Sequence, residues 1–203
     1  MLNIRPANPN DLEALYDVSL KTGHLGEDAS SLYADPKMMG HIYSAPYLML
    51  DPELAFVAES RDGVVGFCVG TADTSDFEAR LEREWWPALR QKYSKPNEET
   101  RSAWTADERR RQMIHVPETT PLPVAGSYPA HLHMNLLPVA QGRKLGGRLL
   151  EYWLSKAAPI GVTAVHIGSN SNNTRANQFW HNHGFIDIPG PKSRTRWMGR
   201  TLT

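Results

Sequence analysis

The segment Ala130–Leu154, AHLHMNLLPVAQGRKLGGRLLEYWL, decides the fold predicted for this chain of 203 residues. Its first part alternates polar and apolar residues, which predicts a half-buried strand that Pro138 ends. A glycine-rich loop over residues 141–147 follows, and residues 148–157 have the apolar spacing of a helix. Backbone N–H groups of such a loop turn toward one point, where the helix dipole favours negative charge. The unit therefore fits a phosphate or pyrophosphate site, and equally a tight strand–helix connection.

Three basic residues, Arg143, Lys144 and Arg148, accompany this loop. They fit a bound polyanion or, alternatively, a solvated basic surface. Two common phosphate loops are excluded, because the chain contains neither G-x-x-x-x-G-K-[ST] nor G-x-G-x-x-G.

A second segment, Asn173–Phe185, NTRANQFWHNHGF, favours the phosphate interpretation. It begins with a helix-capping asparagine and ends with a glycine where a helix would stop. Together with the glycine loop it resembles the GNAT acetyltransferases. In that family a Q/R-x-x-G-x-G/A loop holds the pyrophosphate of acetyl-coenzyme A, and an N-x-x-A-x-x-F-Y-x-x-x-G-F segment lies beside the pantetheine arm.

The resemblance implies a set of residues that hold acetyl-coenzyme A, the co-substrate. They are Leu136, Leu137, Gln141, Gly142, Arg143, Lys144, Leu145, Gly146, Gly147, Asn173, Ala176 and Phe179. Two positions depart from the family pattern. Lys144 stands at the middle glycine of the loop, and Trp180 stands where the family has a tyrosine that often protonates the departing thiolate.

The first half of the chain carries a closer resemblance. Ala45–Leu48, Pro52–Val57 and Gly66–Asp73, followed by a tryptophan–proline insertion, look like the acetyltransferase-like C-terminal domain of O-GlcNAcase and its bacterial stand-alone relatives. The eukaryotic domain is generally regarded as lacking a competent cofactor site. This chain keeps Gln141 and the loop glycines, and so resembles a domain that is better equipped for the coenzyme.

The predicted fold class is α/β with a central mixed, mostly antiparallel sheet flanked by helices, which is the GNAT fold. The element order is strand, helix, helix, strand, strand, an insertion, then strand, helix, strand, helix, strand, strand. We expect a single domain over residues 1–203. The insertion, residues 74–128 between strands 3 and 4, is predicted to hold one or two helices, one of them over 78–93, and a long loop. Residues 36–43 are predicted as a helix and 43–52 as a loop.

Composition and the termini restrict the class of protein. Lys plus Arg and Asp plus Glu both number 22, so the chain lacks the basic excess of a general nucleic-acid binder. Cys68 is the only cysteine and lies in an apolar run, which predicts a buried thiol without a disulfide. The sequence shows no signal peptide and no apolar run of about 18 residues. We therefore expect a cytoplasmic protein with no nucleic-acid or membrane partner; the resemblance allows a homodimer.

Candidate catalytic residues lie on the strand before the loop. His131, His133 and Asn135 share one of its faces by period-two alternation. His133 is the first choice for the base, because histidine titrates near working pH, although a structural role is equally consistent with the pattern. Asp73, at the end of another predicted strand, is the second choice, or else a helix cap.

An acceptor pocket is predicted from His131 and two tryptophans of the insertion, Trp85 and Trp86, which could instead pack the insertion onto the sheet. The histidines raise the question of a zinc site, but no carboxylate or cysteine stands at ligand spacing, so no metal is expected. The leading hypothesis is an N-acetyltransferase in which an amine attacks the thioester of acetyl-coenzyme A directly. The alternative is a catalytically weak or inactive GNAT-fold module that binds coenzyme A, a protein or a glycan.

Overall fold

A seven-stranded sheet forms the centre of the molecule. The structure is a computed structural model that describes residues 2–190 and 193–202. The strands, in the spatial order β1-β2-β3-β4-β5-β7-β6, pair antiparallel throughout except for the parallel neighbours β4 and β5. Their bounds are β1 Asn3–Pro6, β2 Ala55–Ser60, β3 Gly63–Thr71, β4 Ala130–Leu136, β5 Ala164–Asn170, β6 Ile186–Asp187 and β7 Thr195–Thr201. The predicted mixed, mostly antiparallel sheet of the GNAT fold is confirmed.

Helices cover both faces of this sheet. Their bounds are α1 Leu12–Lys21, α2 Gly40–Tyr43, α3 Ala45–Leu50, α4 Thr74–Arg80, α5 Trp86–Lys92, α6 Ala106–His115, α7 Leu122–Ser127, α8 Leu145–Ala157 and α9 Thr174–Asn182. On one face α8 contributes Leu149 and Trp153, both fully buried, to a core shared with α9. On the other face Leu15 of α1 and Phe77 of α4 pack on Phe67 of the sheet. Within the described residues, no helix is long and apolar enough to cross a membrane.

Two predicted elements of the first half differ in the structure. Residues 43–52, predicted as a loop, contain α3, because Pro46 lies in the first helical turn where a missing N–H costs nothing. The helix predicted over 36–43 is regular only in α2, after a series of turns. The short α2 and α3 meet at Ser44, a fully buried residue.

The segment between β3 and β4 is more helical than the sequence indicates. It contains α4 to α7, whereas one or two helices were predicted. The helix predicted over 78–93 is interrupted by one π-helical turn, Leu81–Trp85. Pro87 explains the interruption, because proline cannot donate to the carbonyl four residues earlier and its ring clashes with it. A capping box of Thr105 and Glu108 starts α6 in the charged run.

Candidate active site

The parallel neighbours β4 and β5 separate soon after they meet. Their pairing joins Ala130 to Val165 and His131 to His166. Beyond these pairs β4 stays bonded to β3 as far as Leu136, and β5 stays bonded to β7 as far as Asn170. The two strands therefore diverge and leave a wedge-shaped gap in the middle of the sheet.

Backbone groups of β4 face this gap without a strand partner. The Leu137 N–H donates to the Val65 carbonyl on β3 at 2.9 Å. Because antiparallel strands alternate the direction of their bonds, the N–H groups of Leu132, Met134 and Leu136 point to the opposite side, toward β5. The pairing of His131 with His166 uses the Leu132 N–H, so those of Met134 and Leu136 are the ones that face the gap. The gap is thus lined by free strand edge, to which an extended amide-containing molecule can hydrogen-bond.

The glycine loop places a bare helix terminus at the mouth of the gap. Lys144, the residue before α8, has a φ of 58° and gives no side-chain cap to the helix. Arg148 makes the first helical bond, to the Lys144 carbonyl, so the N–H groups of the preceding residues of α8 remain available. Arg143 and Lys144 are exposed beside them. This arrangement is suited to a phosphate or pyrophosphate group.

Gln141 holds the loop in place with its side chain. Its Nε2 donates to the Leu136 carbonyl at 2.7 Å, and its Oε1 accepts a hydrogen bond from Arg175 of α9. A Cβ atom on Gly146 would come within 3.1 Å of the Phe179 ring. The absence of a side chain at Gly146 therefore lets α8 and α9 approach each other at the gap.

Trp180 is a core residue at the position where the GNAT pattern has tyrosine. It is buried and packs edge-on against Phe179 and Phe185, with ring centroids 5.0 and 5.1 Å apart. An indole N–H can donate a hydrogen bond but does not release a proton at working pH.

One continuous cleft of about 1980 Å³ runs from the glycine loop to α6. The side of the cleft at the glycine loop is formed by β4, β5, α8 and α9. Its opposite side, here called the acceptor pocket, is lined by Tyr33, Tyr43, Tyr47, His133, Arg110 and Met113. Sites for a single small molecule usually measure about 300 to 1,000 Å³, so the cleft has room for two ligands.

His131 is fixed in one neutral form by its partners. The Thr74 hydroxyl donates to the Pro129 carbonyl at 2.6 Å, so it can only accept from His131 Nδ1, 2.7 Å away. His131 Nε2 then accepts from the Tyr47 hydroxyl at 2.7 Å. Burial lowers the pKa of His131 well below its usual value, with smaller contributions from the neighbouring histidines. Because both ring nitrogens already have hydrogen-bond partners, His131 has a structural role in which it holds Tyr47 and Thr74 in place.

His133 is in a different situation although it lies on the same face of β4. Its ring packs edge-on against Tyr43 and Tyr47, with centroids 5.5 and 5.3 Å apart. Among the described residues no side chain or backbone group hydrogen-bonds its nitrogens, which are therefore accessible from the acceptor pocket. Burial lowers the pKa of His133 to about 4, and nearby His166 adds to this effect. The imidazole is therefore neutral at pH 7, but its pKa does not lie near the working pH, which was the reason for choosing His133 from the sequence.

Other predicted site residues lie away from this pocket. Asp73 caps α4 by accepting from the Asp76 N–H at 3.0 Å, and it does not line the cleft. Trp85 donates its indole N–H to the His41 carbonyl at 2.9 Å, outside the cleft. Trp86 is buried in the core of that face of the sheet and only borders the cleft.

Several residues of the acceptor pocket were not predicted from the sequence. Tyr33, Tyr43, Arg110 and Met113 come from a loop, α2 and α6, which are far apart in the chain. Arg110 belongs to the charged run 107–111, where nothing distinguishes it from its neighbours. Among residues 2–190 and 193–202, no three His, Cys, Asp or Glu side chains come together in a way that could hold a metal ion.

The sheet with its wedge-shaped gap, the glycine loop and the bare start of α8 together define the GNAT acetyltransferase fold. Solved structures agree. The chain is 38% identical to SsHAT, whose crystal structure matches it with a TM-score of 0.91 over 98% of each chain. The structure of yncA from Salmonella typhimurium, described as a putative acetyltransferase with its cofactor acetyl-CoA, is 15% identical and has a TM-score of 0.56 over all of this chain and 94% of that one.

The curated relatives point to a particular group within this fold. Protein O-GlcNAcase of Rattus norvegicus is 22% identical over 187 residues, which are 91% of this chain. The chain spans about a fifth of the length of that relative, 20%. No protein-family model matches the chain. The chain belongs to the GNAT-fold acetyltransferases that are related to the acetyltransferase-like domain of O-GlcNAcase.

Proposed function

We propose that this protein is an acetyl-coenzyme A-dependent N-acetyltransferase that moves the acetyl group to an amine by direct attack. The observation that carries the proposal is the wedge between β4 and β5, with free backbone N–H groups along one edge and the uncapped N-terminus of α8 at its mouth. A molecule with an amide-containing arm and a pyrophosphate satisfies both sets of groups. The coenzyme supplies an activated acetyl thioester when it is bound.

The residues that would hold the coenzyme are those of the loop and of α9. Backbone N–H groups from Gly142 to Gly147 would bind the pyrophosphate, and Lys144 and Arg148, which line the cleft, would add positive charge; Arg143 is exposed and does not line it. Leu136, Ala176 and Phe179 would supply apolar contact along the arm, whereas Leu137 does not line the cleft. Asn173 caps α9 by accepting from the Ala176 N–H at 3.0 Å. The backbone N–H groups of Met134 and Leu136 are the donors for the carbonyl oxygen of the thioester.

His133 is the group that accepts the proton from the attacking amine. A C–N bond forms, the C–S bond breaks, and the amine proton passes to His133 and then to solvent. The lowered pKa keeps His133 neutral at pH 7 but also makes it a weak base. The proton is therefore transferred as the C–N bond forms, when the amine nitrogen becomes acidic. Trp180 leaves no acid at the tyrosine position, and this loss is tolerable because a thiol with a pKa of about 8.5 leaves readily as thiolate.

Calorimetric titration with acetyl-coenzyme A tests the coenzyme site. Charge reversal of Lys144 and Arg148 to glutamate should weaken binding by about tenfold or more, because two cations that line the cleft at the loop become anions. The matched control reverses the exposed Arg61 and Lys95, which lie outside the cleft and change the net charge equally. Equal affinity of the two double variants would place the coenzyme elsewhere.

Thiol release during acetylation of a panel of amines tests the transfer. His133→Gln should lower kcat by about a hundredfold or more while the coenzyme affinity stays unchanged, because a general base contributes mainly to the chemical step. Coenzyme binding with no transfer to any amine would favour the alternative function, a coenzyme-binding module, to which the buried Trp180 is also suited.

A further inference from the structure

Arg110 of α6 stands in the acceptor pocket without a carboxylate partner. Its Nε donates to the Tyr33 hydroxyl at 3.1 Å, and its Nη1 donates to the Tyr43 hydroxyl at 2.9 Å. In the part of the chain that the structure describes, no Asp or Glu oxygen lies within 4.0 Å of this guanidinium, whereas Arg80, Arg90 and Arg200 all have such a partner. A half-buried cation that is bonded only to neutral groups retains strong attraction for an anion.

The charges around Arg110 leave this attraction unsatisfied. Burial opposes its charge, but the Tyr43 and Tyr33 oxygens and Glu118 raise its pKa, so it remains a cation. Burial also raises the pKa of Tyr43, so this hydroxyl stays protonated and neutral. Glu118, which is exposed, is the carboxylate that could compete with a bound anion.

Two other acidic side chains of the pocket are already engaged. Glu78 accepts a hydrogen bond from the Thr120 N–H at 2.8 Å, and Glu82 forms a bidentate salt bridge with Arg90 at 2.8 and 2.9 Å. They are therefore held away from the Arg110 guanidinium. The acceptor pocket has hydrogen-bond donors and positive charge at its α6 wall.

Donor groups converge at this wall. The guanidinium has Nη2 N–H groups with no partner among the described residues, and the Tyr33 hydroxyl can donate once it has accepted from Arg110. The Tyr43 hydroxyl also accepts from Arg110, and its proton is directed at Met113 Sδ, 3.9 Å away, a weak acceptor that an oxyanion can replace. Donors without a matching acceptor are the arrangement that binds an oxyanion, and a planar guanidinium fits two oxygens at once.

The position of this donor group relative to the base limits the size of the acceptor. The Arg110 guanidinium carbon lies 5.4 Å from the centre of the Tyr43 ring, and the His133 ring centroid lies 5.5 Å from the same centre. The guanidinium carbon and the imidazole centre are therefore at most 10.9 Å apart. With a hydrogen bond of about 3 Å at each end, one small molecule can contact both groups.

We infer that the acceptor is a small primary amine that also carries a carboxylate or phosphate group, bound through Arg110, Tyr33 and Tyr43 with its amine toward His133. This inference rests on the proposed acetyl transfer and names the substrate class of the same site. Cationic polyamines are disfavoured, because the guanidinium repels a second positive charge.

Matched acceptor pairs that differ only in the anion test the inference. Thiol release is measured with α-amino acids against their carboxamides, and with phosphoethanolamine against ethanolamine. The anionic member of at least one pair should have a kcat/KM about tenfold or more higher, as expected for charge-assisted hydrogen bonds to an anion. The pair that shows the preference identifies carboxylate or phosphate. Equal kcat/KM within both pairs would overturn the inference.

Variants of Arg110 locate the preference. Arg110→Met should remove the higher kcat/KM for the anionic acceptor. Arg110→Lys should keep part of it, because lysine keeps the charge but loses the planar fork. Arg83→Met, which removes an exposed arginine outside the cleft, is the matched control and should leave the preference unchanged. Retention of the preference in Arg110→Met would contradict the assignment.

A binding measurement separates this inference from the proposed transfer. Calorimetry with an N-acetylated amino acid and with the N-acetylated phosphoamine requires no turnover. Binding to the native protein that is lost in Arg110→Met and kept in Arg83→Met supports the anion site even if no acetyl transfer occurs. Absence of binding by both compounds, in a protein that acetylates neutral amines equally well, would remove the anion site and leave the transferase intact.

Discussion

Acid sensitivity of the folded state follows from His41, a buried residue with both ring nitrogens occupied. The Tyr93 hydroxyl donates to Asp35 Oδ2 at 2.7 Å, so it accepts from His41 Nε2, 3.1 Å away. His41 Nδ1 then accepts from the Tyr16 hydroxyl at 3.0 Å. Burial, with nearby Lys92, lowers the pKa of His41 to about 4. The fold therefore contains the neutral imidazole.

The pH window follows from the sign of this shift. A histidine of the unfolded chain titrates near pH 6.5, so between about pH 6.5 and 4 the unfolded state binds a proton that the folded state does not. Above this window the His41 contribution to the free energy of unfolding is fully present, and it is lost as the pH is lowered through the window. From pH 7 to pH 5 one such histidine lowers the free energy of unfolding by about 1.8 kcal/mol. This is a sizeable part of the roughly 5–15 kcal/mol that is typical of a folded protein.

Urea denaturation at pH 7 and pH 5 measures the effect. His41→Gln keeps one donor and one acceptor but cannot titrate, so its free energy of unfolding should change by about 1.8 kcal/mol less between the two pH values than that of the native protein. His24→Gln, which removes an exposed histidine, is the matched control. Carboxylates contribute little in this window, because their unfolded pKa values lie near 4.

The same pH dependence in His41→Gln and in the native protein would refute this reasoning. His131, His133 and His166 also have lowered pKa values, so the native protein should lose further stability over the same range. The test uses the difference between variants, and these three histidines cancel in that difference.

Three further predictions concern the sheet and the loop. Gly70→Ala should destabilise the protein by about 3 kcal/mol in urea denaturation, because its Cβ would lie 2.3 Å from the His131 carbonyl oxygen; native-like stability would show that β3 and β4 can move apart. Trp153→Phe should cost about 1 to 3 kcal/mol, since the buried Leu54 carbonyl loses the indole N–H at 3.0 Å; a melting temperature equal to that of the native protein would contradict this. Lys144→Gly should raise stability by up to about 1 kcal/mol, because φ is 58° there and glycine adopts that conformation without strain.

The sequence identified the strand–loop–helix unit and the order of the strands correctly for local reasons. Alternation along β4, the glycines before α8 and the capping asparagine before α9 act within a few residues, and each can be recognised without knowing what packs on it. The predicted fold class was confirmed. The assignments of single site residues remain predictions, and calorimetry and kinetics test them.

The boundaries that the sequence missed depend on packing. The π-helical turn before Pro87 and the helix α3 around Pro46 are conformations that tertiary contacts stabilise against a weak local preference. Local spacing also could not reveal four helices between β3 and β4.

The sequence by itself determined that His131 and His133 share one face of β4, because strand alternation fixes this. Only the tertiary structure decided how the hydrogen bonding of the two rings differs. Thr74 and Tyr47, which are 57 and 84 residues away from His131 in the chain, occupy both of its nitrogens, while His133 is left open to the acceptor pocket. Arg110 reached the same pocket through the packing of α6, since hydrogen bonds and burial between distant segments are not encoded in any local spacing.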